Sequence, residues 1–370
     1  MTAASAPIRR RALLAAGGAL LAAACGRASH GQDEPPADAP APPTPAMPPL
    51  RSVAPFPIGC AIDSSRLTDP AYAAFLTQEV SQVTAEWEMK MEYILQDDGA
   101  LRFDAPDAIA GFARRNALRL FGHNLIWYAQ VPVAFERLDG QAAAFAAAYR
   151  RYILDVAGRY HGQAVGWDVV NEAVAEDGEG LRSCLWSRNL GELDYIRRAF
   201  DHAREADPEA VLFINDYNLE SLPRKREAFL RLVERLLQAG APLGGLGTQS
   251  HLTADLDPAA PGQALQELAR FGLPIHVSEL DISLNGARSG FSRAELVMRQ
   301  QRLAQALAAA FTDLPERQRF AFTLWGLRGV DSWLRDPKEN PSPPWDQPSP
   351  FDDHGRPRPM LAGLEAGFRA

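Results

Sequence analysis

Apolar and polar positions along this chain fall into a repeating order, in which short apolar runs are each followed by a longer stretch of helical periodicity. The short runs predict strands at 58–62, 82–85, 118–126, 165–170, 211–216, 245–250, 275–280 and 320–325. The stretches between them carry helix end signals. Asp69-Pro70 sets a capping acid before a first-turn proline, and Ser292 to Glu295 form a capping box with Phe291 placed to staple onto Leu296. The apolar stripe from Arg224 to Ala239 stops at Gly240, which suits a left-handed cap. Strand and helix alternating eight times predict a single (β/α)8 barrel, an α/β fold. A doubly wound sheet needs a glycine-rich phosphate turn after its first strand, and Gly244-Gly245-Leu246-Gly247 has neither the spacing nor a following helix.

In a barrel, the ends of the strands converge on one rim, so polar residues there acquire a common address. Those ends carry Glu86, Glu88 and Lys90, then His123, Asn124 and Trp127, then Asn171 and Glu172. Asn215, Asp216 and Tyr217 follow, with Gln249 and His251, Glu279 and Asp281, and finally Trp325. Two of the strands share one form. Val165 to Val174 is an apolar run that ends in Asn171-Glu172, and Leu273 to Ile282 is another that delivers Glu279. A lone Asn-Glu pair reads more readily as a solvated loop acid or as the opening of the next helix, but the second strand of this form points to two carboxylates facing one pocket.

Composition narrows the partners. At 370 residues and 46% hydrophobic content, the chain can bury a barrel-sized core and still carry a tail. A net charge of -8 without a basic stripe argues against nucleic acid or an anionic membrane surface, and fits a neutral substrate. Cys60 and Cys184 are expected as buried thiols without a disulfide, whereas Cys25 lies in a leader. Residues 1–25 read as an export signal, with Arg9 to Arg11 before an apolar segment too short to span a membrane. Arg10-Arg11-Ala12-Leu13-Leu14 resembles a twin-arginine signal, and Leu21 to Gly26 resembles a lipoprotein site that would leave Cys25 as a lipid anchor. Ala22-Ala23-Ala24 equally suits ordinary cleavage. The expected destination is the periplasm, the outer membrane or the medium. Residues 26–52 read as a Pro- and Ala-rich spacer, and 53–370 as the catalytic domain.

Seven segments in order carry a resemblance. They are Glu86-Trp-Glu-Met-Lys90, Gly122 to Trp127 with Gln130, Trp167 to Ala173, Asn215-Asp-Tyr-Asn218, Gly247 to His251, Ser278-Glu-Leu-Asp281, and Trp325-Gly with Ser332-Trp333. From about Pro57 to Phe368 the chain resembles glycoside hydrolase family 10, the endo-β-1,4-xylanases. The resemblance implies Glu172 as acid/base and Glu279 as nucleophile of a retaining double displacement, with His251 and Asp281 in support. It implies a polysaccharide or oligosaccharide held by Glu86, Lys90, His123, Trp127, Gln130, Asn171, Tyr217, Gln249, Trp325 and Trp333. Three positions depart from the family pattern. Trp87 stands where Asn is usual, Met91 where an aromatic is usual, and Tyr128 where His is common. The first would block or reshape a sugar subsite beyond the scission point.

Two other readings stay open on sequence alone: a barrel glycosidase for another β-glycan or a decorated oligosaccharide, and a surface lipoprotein that captures saccharides without cleaving them. A metal site built from His123, His251 and acids lacks any His-x-His or His-Glu-x-x-His spacing, so neither metal nor cofactor is expected. A monomer is the default. Trp87 and Trp186 read as either sugar platforms or core. The proline-rich loop from Gly326 to Pro350 reads as a stiff partial lid or a surface insertion.

Overall fold

A computed structural model describes residues 47–286, 290–336, 343 and 345–370. Among the described residues nine parallel strands form: β1 (Ile58–Ile62), β2 (Gln82–Ala85), β3 (Arg119–Trp127), β4 (Ala164–Asn171), β5 (Val211–Asp216), β6 (Gly245–Thr248), β7 (His251–Thr253), β8 (Ile275–Ser283) and β9 (Arg319–Leu324). Each of β1 to β5 pairs with its successor, β6 skips to β8, β8 pairs with β9 and β9 with β1, so eight strands close on themselves, and the short β7 pairs with β8 beside them. The expected (β/α)8 barrel is therefore present. Its helices form where the end signals lie. Asp69 accepts from Ala71 N at the head of Pro70–Glu79, and Ser292 and Glu295 cap Arg293–Thr312 reciprocally. Gly240, at φ 72°, follows the helix Pro223–Gln238.

The floor of the barrel is aromatic. Phe121, Phe213 and Phe320 meet with ring centroids 4.6 to 5.8 Å apart, around a buried His276 that bonds Thr323 Oγ1 at 2.7 Å. Burial pushes His276 down to about 3, so it is a neutral packing group. Above this plug, the strand interiors turn polar, and that change of lining marks where chemistry begins.

Several expectations shift. The folded unit begins at Met47, and Leu50, fully buried in the short helix Leu50–Val53, donates its N–H to Glu79 Oε2 at 3.0 Å. The domain thus starts upstream of Val53. The leader, Cys25 and most of the spacer lie outside the described residues, as do 337–342 and 344 of the proposed lid. The described end of that loop is fastened: buried Asp346 accepts from Ser283 Oγ at 2.8 Å and from Leu284 N at 2.9 Å. Phe291 does not lie buried against the helix but is 39% exposed, beneath the Arg299 guanidinium at 4.3 Å. The sixth predicted strand breaks at Gln249-Ser250, where Ser250 takes φ 59°. Buried Glu220 stabilises that break by accepting from Thr248 and Ser250 hydroxyls, each at 2.6 Å. Cys60 and Cys184 are buried free thiols.

Candidate active site

Adjacent strands deliver the polar residues in register. His123 pairs with Asp168 and Trp127 with Asn171 across β3 and β4, Asn171 with Asn215 across β4 and β5, and His251 with Asp281 across β7 and β8. Strand neighbours thus become side-chain neighbours. Gly247 in β6 makes room for this layer, since a Cβ there would lie 2.4 Å from Asn215 Oδ1.

Glu279, in β8, is surrounded by donors. Asn215 Nδ2 donates to its Oε1 at 2.8 Å, and His251 Nε2 lies 3.3 Å from its Oε2. Burial alone would raise its pKa. The His123 and His251 rings and the Lys90 ammonium overcome that and hold it at about 2, so it is ionised at neutral pH. His251 is in turn sandwiched between carboxylates: its Nδ1 lies 3.0 Å from Asp281 Oδ2. Burial would lower its pKa, but Asp281 and Glu279 raise it to about 10, making it a standing cation. Trp333 Nε1 donates to the same Asp281 oxygen at 2.8 Å, which ties the β9 loop to the pair.

Glu172, immediately after β4, has the opposite bias. It is 8% exposed, and burial, followed by the charges of Asp216 and Glu279, raises its pKa. The Trp127 indole and the Gln249 amide oppose this more weakly. Gln249 Nε2 reaches both Glu172 Oε1 and Asn171 Oδ1 at 3.2 Å, while Asn215 Nδ2 reaches Asn171 Oδ1 at 2.9 Å. One amide relay therefore runs from Glu172 through Asn171 and Asn215 to Glu279. Glu172 has φ 58°, a left-handed conformation that costs a non-glycine residue roughly 1–3 kcal/mol and recurs at functional sites.

The remaining expected residues line the same rim. His123 Nδ1 bonds Asp168 Oδ2 at 2.8 Å, and its ring meets Trp325 edge-on at 5.3 Å. Trp325 and Trp333 both flank His251, at 6.1 and 5.2 Å. Lys90 Nζ stands 5.1 Å from the Trp127 ring centroid. Burial raises Glu86 to about 7 against the Lys90 charge, and Gln130 takes φ 51° after Trp127. Tyr217 is held from behind by Lys225, whose ammonium is 3.2 Å from the ring centroid. Its hydroxyl donates to Glu176 and accepts from Arg182 Nη2. Trp186 belongs to the core, packed on Phe135, Phe145 and Tyr149, with its indole bonded to Trp127 O at 2.7 Å. Trp87 faces Tyr93 at 4.6 Å on the rim.

Oxygen and nitrogen atoms of His123, Asp168 and Glu279 lie within 4.8 Å of one another, close enough for a cation. Each is already engaged: His123 with Asp168, and Glu279 with Asn215 and His251. Those hydrogen bonds join the three residues to the polar network of the rim.

Three contributors escaped the sequence. Asp168 sits inside an apolar strand, and burial, reinforced by Glu279, raises it to about 6 despite His123. Lys225 falls on the helix Pro223–Gln238, yet is fully buried and pairs with Asp216 at 3.0 Å. Arg182 lies in a loop without a motif. Only the β3–β4 register would have exposed Asp168, as the residue opposite His123.

A family model described as glycosyl hydrolase family 10 matches residues 51–366. Endo-1,4-beta-xylanase A of Thermoanaerobacterium saccharolyticum is 35% identical over 296 residues, 76% of this chain and 25% of that protein. Exoglucanase XynX of Acetivibrio thermocellus is 34% identical over 297 residues, 76% of this chain and 26% of that protein. The chain thus spans about a quarter of the length of these two relatives. The solved structure of a thermostable mutant of a xylanase from Cellvibrio japonicus superposes with a TM-score of 0.78 at 32% identity, covering 87% of this chain and all of that one. With its closed barrel, its rim of paired carboxylates and a family match over most of its length, this chain belongs to glycosyl hydrolase family 10.

Proposed function

We propose that the protein is a retaining endo-β-1,4-xylanase acting on xylan or xylo-oligosaccharides. The observation that carries this reading is the opposed bias of two buried carboxyls on one rim, Glu172 pushed toward its protonated form and Glu279 held ionised at about 2. Retaining glycosidases require that division of labour. Glu279 attacks the anomeric carbon while the bond to the leaving oxygen breaks and Glu172 gives that oxygen its proton. Glu172, now a carboxylate, takes a proton from water as the water oxygen displaces Glu279, restoring both groups. His251, charged between Asp281 and Glu279, steadies the nucleophile, while Asn171 is placed to bind the sugar beside it. Trp325 and Trp333 offer ring faces at the scission point, and Tyr217 offers one on the leaving-group side. Glu86, Lys90, His123, Trp127, Gln130 and Gln249 supply the polar contacts.

The test is hydrolysis of soluble xylan beside β-glucan and mannan by residues 47–370, with product lengths recorded and the anomer released first read by proton NMR. Cleavage of xylan with β-anomer released first is expected, and α-anomer first would sink the retaining mechanism. Trp87 on the glycone rim, and the similarity to a protein named an exoglucanase, favour a second reading in which a β-glucan or a decorated oligosaccharide is cleaved by the same pair. Export through the Arg10-Arg11 signal, anchoring through a lipid on Cys25 and a monomeric state belong to the same proposal. Radiolabelled palmitate incorporated into the full chain, and lost in Cys25→Ser, is the expected result for the anchor.

A further inference from the structure

Arg182, half-buried in the loop after β4, ties three strand-end loops together. Its Nε donates to the carbonyl of Glu172 at 3.2 Å, and its Nη2 donates to the Val174 carbonyl and the Tyr217 hydroxyl, both at 3.2 Å. The guanidinium lies over the Tyr128 ring, 4.0 Å from its centroid. Its own N–H donates to Ala173 O at 2.8 Å. These contacts bracket one of the left-handed residues of the rim. Glu172 holds φ 58°, and its N–H is fixed from β5 by Asn215 O at 2.8 Å. Its carbonyl is fixed by Arg182. Without that second hold, the peptide after Glu172 is free to relax toward an extended conformation, which would re-aim the carboxyl.

We propose that Arg182 is a positioning residue for the acid/base: one planar fork, stacked on Tyr128, sets the backbone of Glu172 and the ring of Tyr217 in a fixed relation, so that the carboxyl proton meets the oxygen of the leaving sugar. The inference rests on the assignment of Glu172 and Tyr217 given above. It is specific to guanidinium, because an ammonium has neither the flat face nor the parallel donors. A loop staple without this role would, on removal, slow all substrates alike.

Leaving-group chemistry separates the two. A sugar alcohol needs the proton from Glu172 to depart, whereas dinitrophenolate departs without it. In purified Arg182→Gln, kcat/KM for xylo-oligosaccharide is expected to fall about a hundredfold, and for dinitrophenyl β-xylobioside by less than about threefold. Arg182→Lys should behave like the glutamine variant. Tyr128→Ala, which removes the ring beneath the guanidinium, should show the same pattern with about a tenfold loss on the oligosaccharide, and it keeps the test open if Arg182→Gln does not fold. Equal losses on both substrates, or full rescue by lysine, would overturn the proposal. A wild type that is inert on xylan but cleaves another glycan displaces the substrate assignment alone. The same comparison is then made with that glycan and its dinitrophenyl glycoside, and equal losses there overturn the role of Arg182.

Discussion

Glu172 and Glu279 are buried almost equally, at 8% and 4% exposure, yet their surroundings move their protons in opposite directions. Around Glu279 the neighbours are cations and donors: His251 between two carboxylates, Lys90 across the rim, and the Asn215 amide at 2.8 Å. Around Glu172 they are two anions, Asp216 and Glu279, with two neutral donors, the Trp127 indole and the Gln249 amide at 3.2 Å. Desolvation opposes charge at both sites, so burial does not decide the outcome. What decides it is whether the structure brings positive charge to the same place.

The largest effect should come from removing the ionised member. Glu279→Ala is expected to lower kcat/KM about ten-thousandfold on glycan and on aryl glycoside alike, because no leaving group substitutes for a missing nucleophile. Glu172→Ala should cost about a hundred- to a thousandfold on glycan, but far less on dinitrophenyl β-xylobioside in the first step. A pre-steady-state burst of dinitrophenolate in that variant would mark a slowed second step, where Glu172 returns as base. Should both variants lose the two substrates equally, the contrast between the carboxyls has no catalytic meaning.

A smaller change would erase the contrast without deleting either carboxyl. His251→Gln removes the cation beside Glu279 while keeping a donor, so the Glu279 pKa should climb from about 2 toward the ordinary value of about 4.3. The acid limb of kcat/KM should move to higher pH, with little change from this cause near neutrality, where Glu279 stays ionised in both proteins. The sign follows from the nucleophile being active only when ionised. Stability moves in step: a depressed folded pKa stabilises the native state above the unfolded value, and that contribution disappears as pH falls through about 2. In the variant, whose folded and unfolded values coincide, the contribution is absent at every pH, so thermal melts between pH 3 and 6 should show a wild-type advantage at pH 6 that narrows toward pH 3. An unmoved acid limb would remove His251 from the account.

Much of this contrast was legible in the sequence, and what was hidden follows a rule. Glu172, Glu279, His251 and Asp281 fall at or just beyond the ends of the predicted strands, where alternation and the barrel rim give them an address. Asp168 and Lys225 do not. Asp168 interrupts an apolar strand and is explained only by His123 opposite it, and Lys225 occupies an ordinary helical position until Asp216 is seen 3.0 Å away. Both are buried charges whose partners come from other elements, so no local pattern records them. The break in the sixth strand was hidden for a related reason. A left-handed turn at Ser250 rather than at a glycine depends on Glu220, thirty residues upstream, to hold its hydroxyl.

The smallest expected effect lies furthest from the two carboxyls. Trp87 sits between Glu86 and Lys90 at the β2 end of the rim and packs on Tyr93 at 4.6 Å and 57°. On the proposed reading, an indole held this way would narrow the space beyond the scission point and offer less hydrogen bonding than a short amide. Trp87→Asn should therefore favour longer chains, raising the ratio of kcat/KM for xylohexaose over xylotriose about threefold, the scale of one aromatic contact. Glu172 and Glu279 touch neither ring, so the pH limits of activity should stay where they are. If the variant instead loses activity on every chain length, the indole is a platform that grips sugar. The glycone side would then use stacking where the scission point uses charge.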